Sequence, residues 1–230
     1  MKIAIYIICT VLGYMICSFS MSHLLAKIKK KDLRSGGSGN LGASNTTILM
    51  GIKYGVLVGA VDIFKGSICV FAVRLLFPDM VLLHHIVAAA CVMGHMFPFY
   101  LKFKGGKGFA TTIGVMFGLY PLTTVVVAVC IILVAIISNY LIISTILTAI
   151  AFPLIVCIKT GDWISGWIIA VPMSIIVFKH IPNVMKIFKG EEFKVRDILF
   201  KKKKSDGKSG DGQQAEEEKQ ESDTQAVKAS

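Results

Sequence analysis

The chain has 230 residues, 54% of them hydrophobic and only 17% charged, and a mean hydropathy of +0.69. A water-soluble domain carries about a quarter of its residues as charges, so this composition excludes an ordinary soluble globule and points to a bilayer. The formal charge is +11, yet residues 201–230 hold seven Lys and seven Asp/Glu, so the whole excess lies in short loops between apolar runs of residues 1–200. That placement suits anionic lipid headgroups or anionic substrates, not nucleic acid.

Apolar runs cover about residues 3–25, 52–77, 81–101, 140–158 and 162–178, most of them reaching the roughly 17–25 residues a crossing needs. The first lacks a polar cleavage region and is followed by further spans, which predicts a retained membrane helix and not a signal peptide. The stretch 108–138 is ambiguous, with Pro121 near its middle. Three segments are rich in Lys and Arg: 26–53, 102–107 and the chain after 178. Cytoplasmic loops carry such an excess. All three share one side only if an even number of spans separates 107 from 179, so 108–138 must supply two, divided at Pro121. The reading is an all-α polytopic membrane protein with seven transmembrane helices, N-terminus outside and C-terminus cytoplasmic. Residues 1–200 form the membrane domain and 201–230 a disordered, charged cytoplasmic tail. The segment 109–120 is too short to cross unaided and must be shielded by its neighbours.

The stretch RSGGSGNLGASN at 34–45 carries four glycines behind a basic run. Converging backbone N–H groups make an anion nest, and Ser38, Asn40, Ser44 and Asn45 add side-chain donors. A helix is expected to begin near Asn45 or Thr46, its free N–H groups close by. The alternative is a flexible turn between spans. In FKGGKGFATTIG at 103–114, glycines bracket Lys107 and a short helix follows, which favours an anion at the helix start. The alternative there is a plain basic loop. It is not a Walker A loop, because Leu101 and Gly108 occupy two of the required positions. In FKHIPNVMKIFKGEE at 178–192, His180 and Asn183 stand at the end of the last span. His180 fits a proton acceptor, a hydrogen-bond donor or a structural role.

Asp62 and Lys65 lie three apart within span two and can pair. His84, His85 and His95 share span three, but no His/Glu/Asp spacing resembles a zinc site. Cys9, Cys17, Cys69, Cys91, Cys130 and Cys157 all fall in apolar runs without CxxC spacing, so they read as small buried hydrophobes, with neither a disulfide framework nor a metal site.

Three segments, GGSGNLGASN, GHMFPFYLKFKGGKGFATTIG and KHIPNVMKIFKGEE, together with DIFKG at 62–66, resemble the signature regions of the bacterial membrane acyl-phosphate:glycerol-3-phosphate acyltransferases of the PlsY type. The resemblance covers about residues 1–192. It implies transfer of a fatty acyl group from acyl phosphate to the 1-hydroxyl of glycerol 3-phosphate, giving lysophosphatidic acid and phosphate. It implies no cofactor, no metal and no acyl-CoA, a bacterial cell membrane location with the active site facing the cytoplasm, and the enzyme that makes acyl phosphate as a partner beside membrane lipids. Carried over by position, it makes His180, Asn183, Lys107 and Ser38 the catalytic set. Gly37, Gly39, Asn40, Gly42, Ser44, Asn45, Gly105, Gly106, Gly108 and Thr145 become the substrate-binding set. The His-x4-Asp pair of other glycerolipid acyltransferases is missing: Ile28, Ala89, Ala90, Tyr100 and Met185 stand where its Asp would be.

Five positions depart from the family pattern. Ile48 stands where an Arg is usual, Ser44 replaces Thr, Ile181 and Pro182 replace more polar residues, and Lys186 replaces Arg. A lost charge-assisted contact costs about 1.5–3 kcal/mol, which Lys53 or Arg34 would have to replace. Pro182 biases the last helix to end near it. A catalytically weakened relative and a transporter of phosphorylated anions therefore remain as alternatives.

Overall fold

A computed structural model describes residues 1–192 and 194–196, so the predicted tail lies outside the described residues. Among these residues the chain is entirely helical. Its α-helices are α1 (Lys2–Ser18), α2 (Met21–Ile28), α3 (Ala43–Met50), α4 (Ile52–Leu76), α5 (Val81–Met96), α6 (Phe109–Leu119), α7 (Pro121–Ser138), α8 (Leu141–Thr160) and α9 (Trp163–Phe188). A 3-10 turn spans Phe99–Leu101. Six segments are long and apolar enough to cross a membrane: Lys2–Ile28, α4, Val81–Leu101, α7, α8 and α9. The short α6 is the seventh apolar helix. The expected division at Pro121 is present, with Pro at the first position of α7, where its missing N–H costs nothing.

α6 is shielded as its length requires. Its residues Thr111, Thr112, Gly114, Val115, Met116, Gly118 and Leu119 are buried, mostly against α4. A methyl on Gly114 would stand 2.1 Å from Ile63 O, so only glycine lets the two backbones touch. Ser67 Oγ donates to Gly114 O at 3.0 Å and Arg74 Nη1 to Gly118 O at 2.6 Å, which pins α6 along its length. The core runs through Val70, Leu83, Val87, Val92, Met116, Phe152, Ile169 and Met173, contributed by α4, α5, α6, α8 and α9. By contrast α7 presents Leu122, Val125, Val129, Leu133 and Ile137 outward, as a helix bathed in lipid does.

The break between α1 and α2 falls at Phe19–Ser20. There Lys65 Nζ donates to Phe19 O at 2.7 Å, and Ser20 N donates to Tyr100 Oη at 3.0 Å. Ser20 Oγ accepts from His23 N and caps α2.

Three expectations change. The helix after the glycine-rich loop starts at Ala43, with Gly42 as its cap. Helix α9 does not end at Pro182 but continues to Phe188; the proline is exposed, so its ring meets solvent and the helix forfeits one hydrogen bond without breaking. Of the six cysteines only Cys17, Cys69 and Cys91 are buried, and Cys130 on α7 is exposed, because a lipid-facing helix turns small apolar side chains outward.

Candidate active site

The glycine-rich loop is organised by Asn45 from the first turns of α3. Its buried side chain accepts from Ser38 N at 2.8 Å and donates to Leu33 O at 2.7 Å. Gly37 adopts φ +59° against it, and a methyl there would stand 2.2 Å from Asn45 Oδ1. Asn45 therefore shapes the loop from within, while Ser38 and Ser44 are exposed and Asn40 is half-buried. Gly39 also has positive φ, with Gly39 N bonded to Gly36 O.

The second loop folds back on the end of α5. Gly105 N donates to Met96 O at 3.1 Å and Gly106 N to His95 O at 3.2 Å. At Gly106 the added methyl would lie 2.1 Å from His95 Nε2 and 2.8 Å from Leu41 O. One glycine thus touches the first loop and the third span at once. Arg34 Nη2 donates to Lys104 O at 2.9 Å, a second link between the loops. Gly108 caps α6 with φ +95° and directs Lys107 toward α9.

The third segment closes on the same point. Lys107 Nζ donates to Asn183 Oδ1, and Asn183 Nδ2 donates to both oxygens of Glu192 at 2.9 Å. Lys179 Nζ donates to Met96 O and Gly106 O, each at 3.3 Å, and lies over the Phe97 ring. His180 is buried and its Nδ1 donates to Ile176 O at 2.8 Å. The proton is then on Nδ1, and Nε2 keeps a lone pair. Lys107 and Lys179 are within electrostatic reach of the ring. Burial pushes the Lys107 ammonium down to about 8; Glu192 opposes that shift, and Lys186 and Lys179 reinforce it.

Beneath the loops lies a cluster that the motif reading left without a role. Asp62 and Lys65 form a buried ion pair at 2.7 Å, and His95 Nδ1 lies 3.1 Å from Lys65 Nζ and 3.3 Å from Asp62 Oδ1. An ammonium only donates, so His95 Nδ1 accepts from it and the ring proton sits on Nε2, beside Gly106. The signal in the sequence was three ionisable groups in apolar spans, each of which demands a partner. Elsewhere in α5, His84 Nε2 donates to Phe77 O and His85 Nδ1 to Val81 O.

The structure therefore brings together Asn45 with the Gly37–Gly42 loop, Gly105–Gly108, Lys107, Asn183 and Lys179. Thr145 is buried in α8 with its hydroxyl donated to Leu141 O, a bond within its own helix. Ile48, 39% exposed, has its Cγ2 3.6 Å from the methyl position of Gly37, so it borders the first loop. Lys53 is exposed. A cavity of about 440 Å³ lies at the other ends of the helices, lined by Lys2, Asp79, Thr160, Asp162 and Ser165. It is remote from these loops, and the chemistry argued below does not use it.

A Gly106→Ala replacement is expected to displace Lys107 and to cut turnover by about 100-fold, since a shift near 1 Å in a positioned group costs that much. Steady-state kinetics beside the circular dichroism spectrum would check it.

Residues 7–190 match the pattern of the glycerol-3-phosphate acyltransferase family. A glycerol-3-phosphate acyltransferase of Staphylococcus carnosus is 37% identical over 199 residues, covering 80% of this chain and 95% of the relative. One from Listeria welshimeri is 35% identical over 194 residues, covering 83% and 96%. Two crystal structures of the integral membrane glycerol 3-phosphate acyltransferase PlsY superpose on 85% of this chain and 98% of their own. Its glycerol 3-phosphate form gives a TM-score of 0.78 at 29% identity, and its lysophosphatidic acid form 0.75 at 28%.

Proposed function

The chain belongs to the glycerol-3-phosphate acyltransferase family, and from that premise we propose that it moves a fatty acyl group from acyl phosphate to the 1-hydroxyl of glycerol 3-phosphate. The products are lysophosphatidic acid and phosphate, and the site faces the cytoplasm of a bacterial cell. One observation carries the reading: three segments far apart in the chain meet at Lys104–Lys107, through Leu41, Arg34, Lys179 and Asn183.

Both substrates are phosphates, and the loops offer two kinds of grip. The Gly37–Gly42 loop, shaped by Asn45, offers the side-chain donors of the exposed Ser38 and the half-buried Asn40. Lys107 supplies an ammonium at the start of α6, where a bound anion also meets the free N–H groups of that helix. Asn183 holds Lys107 and, through Glu192, is itself held. His180 Nε2 accepts a hydrogen bond from the attacking hydroxyl and aims it. Acyl phosphate is already activated, so the hydroxyl oxygen bonds to the carbonyl carbon, the bond to the phosphate oxygen breaks, and the departing phosphate takes the hydroxyl proton. Lys107 offsets the charge that collects on that leaving group. No step needs a metal or a cofactor.

The direct test is formation of labelled lysophosphatidic acid from palmitoyl phosphate and labelled glycerol 3-phosphate by the purified chain in lipid. Absence of product from a folded sample would overturn the reading.

The ammonium form of Lys107 is the anion-binding form. With its titration near 8, kcat/KM for glycerol 3-phosphate is expected to hold below that pH and to fall toward tenfold per unit above it. The limb in kcat lies higher, because bound phosphate stabilises the ammonium. A Lys107→Arg variant keeps its charge through this range and should lose the limb; a pH profile of the pair decides.

Ile48 favours a weakened grip, since it borders the loop and brings no charge. Ile48→Arg is expected to lower the KM for glycerol 3-phosphate about tenfold or more, the worth of one charge-assisted contact; initial-rate kinetics on the two proteins would measure it.

A further inference from the structure

Cys17 on α1, Cys69 on α4 and Cys91 on α5 lie far apart in the chain, yet their sulfurs all stand within 4.8 Å of one another. Cys17 and Cys91 are fully buried and Cys69 is 7% exposed, inside the core that includes Val87, Ala88 and Val92. Nothing in the acyl transfer uses them. Their assembly is tight: a methyl on Gly13 of α1 would stand 3.2 Å from Cys91 Sγ, and Gly94 of α5 meets the backbone of Tyr14. The helices that carry Cys17 and Cys91 are thus closely packed, with side chains of α5 against Gly13 and backbone contact at Gly94.

We propose that Cys17, Cys69 and Cys91 form a three-thiol binding site for trivalent arsenic, or its heavier congener antimony, delivered as the uncharged trihydroxide. The spacing suits it. Bonds of about 2.3 Å from a central atom to sulfur put three sulfurs roughly 3.5–4.0 Å apart, so from a separation of no more than 4.8 Å the thiols need to close by at most about 1.3 Å. Softness suits it as well, since sulfur ligands select soft centres. Charge then chooses among soft centres. Three thiolates around a monovalent or divalent metal leave a net negative charge in an apolar core, and burying such a charge is costly. Around trivalent arsenic the sum is zero. The exchange also balances without any redox partner: three As–O bonds break, three As–S bonds form, and each thiol proton leaves with a hydroxide as water. The incoming species is neutral and needs no counter-ion on its way through the bilayer.

An occupied site staples α1, α4 and α5 together. Cys69 lies one turn along α4 from Lys65, whose ammonium holds Phe19 O, Asp62 and His95. The site is separate from the phosphate loops, so its occupation can be read without reference to catalysis.

The test uses the full chain in lipid nanodiscs, reduced with a phosphine, incubated with sodium arsenite and freed of excess by gel filtration. One arsenic per chain should be retained, X-ray absorption should count three sulfurs around it, and the thermal midpoint should rise. Cys69→Ala and Cys91→Ala should each retain less than a tenth as much, whereas Cys130→Ala, changed on the lipid-facing helix, should retain the parental amount. Absence of retained arsenic in folded parent protein, a sulfur count of two or fewer, or retention unchanged by Cys69→Ala would each overturn the proposal. The sulfur count is made on the parent chain, so it stands even where a cysteine variant does not fold.

Discussion

Replacement of Lys107 by alanine is expected to lower kcat/KM for glycerol 3-phosphate by about 100- to 1000-fold while leaving the fold intact. A charge-assisted hydrogen bond is worth about 1.5–3 kcal/mol, and a donor aimed at charge that develops in the transition state is worth about 2.7–4 kcal/mol. Lys107 has both tasks in the reading above, so the upper part of that range applies. The thermal midpoint should stay level or rise at neutral pH. The sign follows from the titration: the ammonium releases its proton near 8 in the folded chain, below the ordinary lysine value, so the fold disfavours the charged form. A charge that costs stability yet is retained is what a working site requires. Kinetics and a melting curve on one preparation would separate the two effects. Equal loss of both would mean that Lys107 holds the fold and not the substrate.

The second large effect belongs to stability. Lys65→Met removes the ammonium that faces Asp62 at 2.7 Å, donates to Phe19 O and meets His95. Asp62, 2% exposed, is then left as a buried carboxylate with His95 alone beside it. Breaking a buried pair from one side costs about 3–5 kcal/mol. At about 2–4 °C per kcal/mol for a chain of this size, the thermal midpoint should fall by about 6–20 °C. Asp62→Leu made together with Lys65→Met should recover much of that loss, because an apolar pair leaves no orphaned charge. Melting curves in detergent for the single and double variants decide. A single variant as stable as the parent would show that the pair contributes nothing to the fold.

The membrane layout was legible because hydropathy is a one-dimensional signal, and because the charge of the loops required a break at Pro121 that the structure contains. The meeting of the three loops was legible through the resemblance, and Lys107 does meet Asn183. What stayed hidden depends on which faces of separate helices meet. The spacing of Asp62 and Lys65 on α4 let them pair, but no spacing along the chain reveals that His95 of α5 meets both. The three cysteines come from three helices, so the missing CxxC motif said nothing about their proximity. Pro182 was read by its local preference, which the surrounding helix overrode. The pinning role of Asn45 was hidden too, because an asparagine in a polar loop reads as a ligand contact and not as an internal brace.

The length of α6 has a kinetic meaning. Eleven residues rise about 16 Å, against a hydrocarbon layer of about 30 Å. The helix lies against the middle of α4, with Gly114 at Ile63 and Gly118 near Val70. Phe109 is therefore level with a point on α4 about two turns beyond Ile52, and Lys107 sits no more than about 10 Å below the start of α4. Under the function proposed above, an acyl donor dissolved in the membrane would reach that depth sideways, while glycerol 3-phosphate would come from water. On that function the chain would draw one reactant from a two-dimensional fluid and the other from a three-dimensional one. Its rate should follow the mole fraction of acyl donor in the bilayer, and diluting that donor with inert lipid at constant total amount should slow it as surely as removing donor outright.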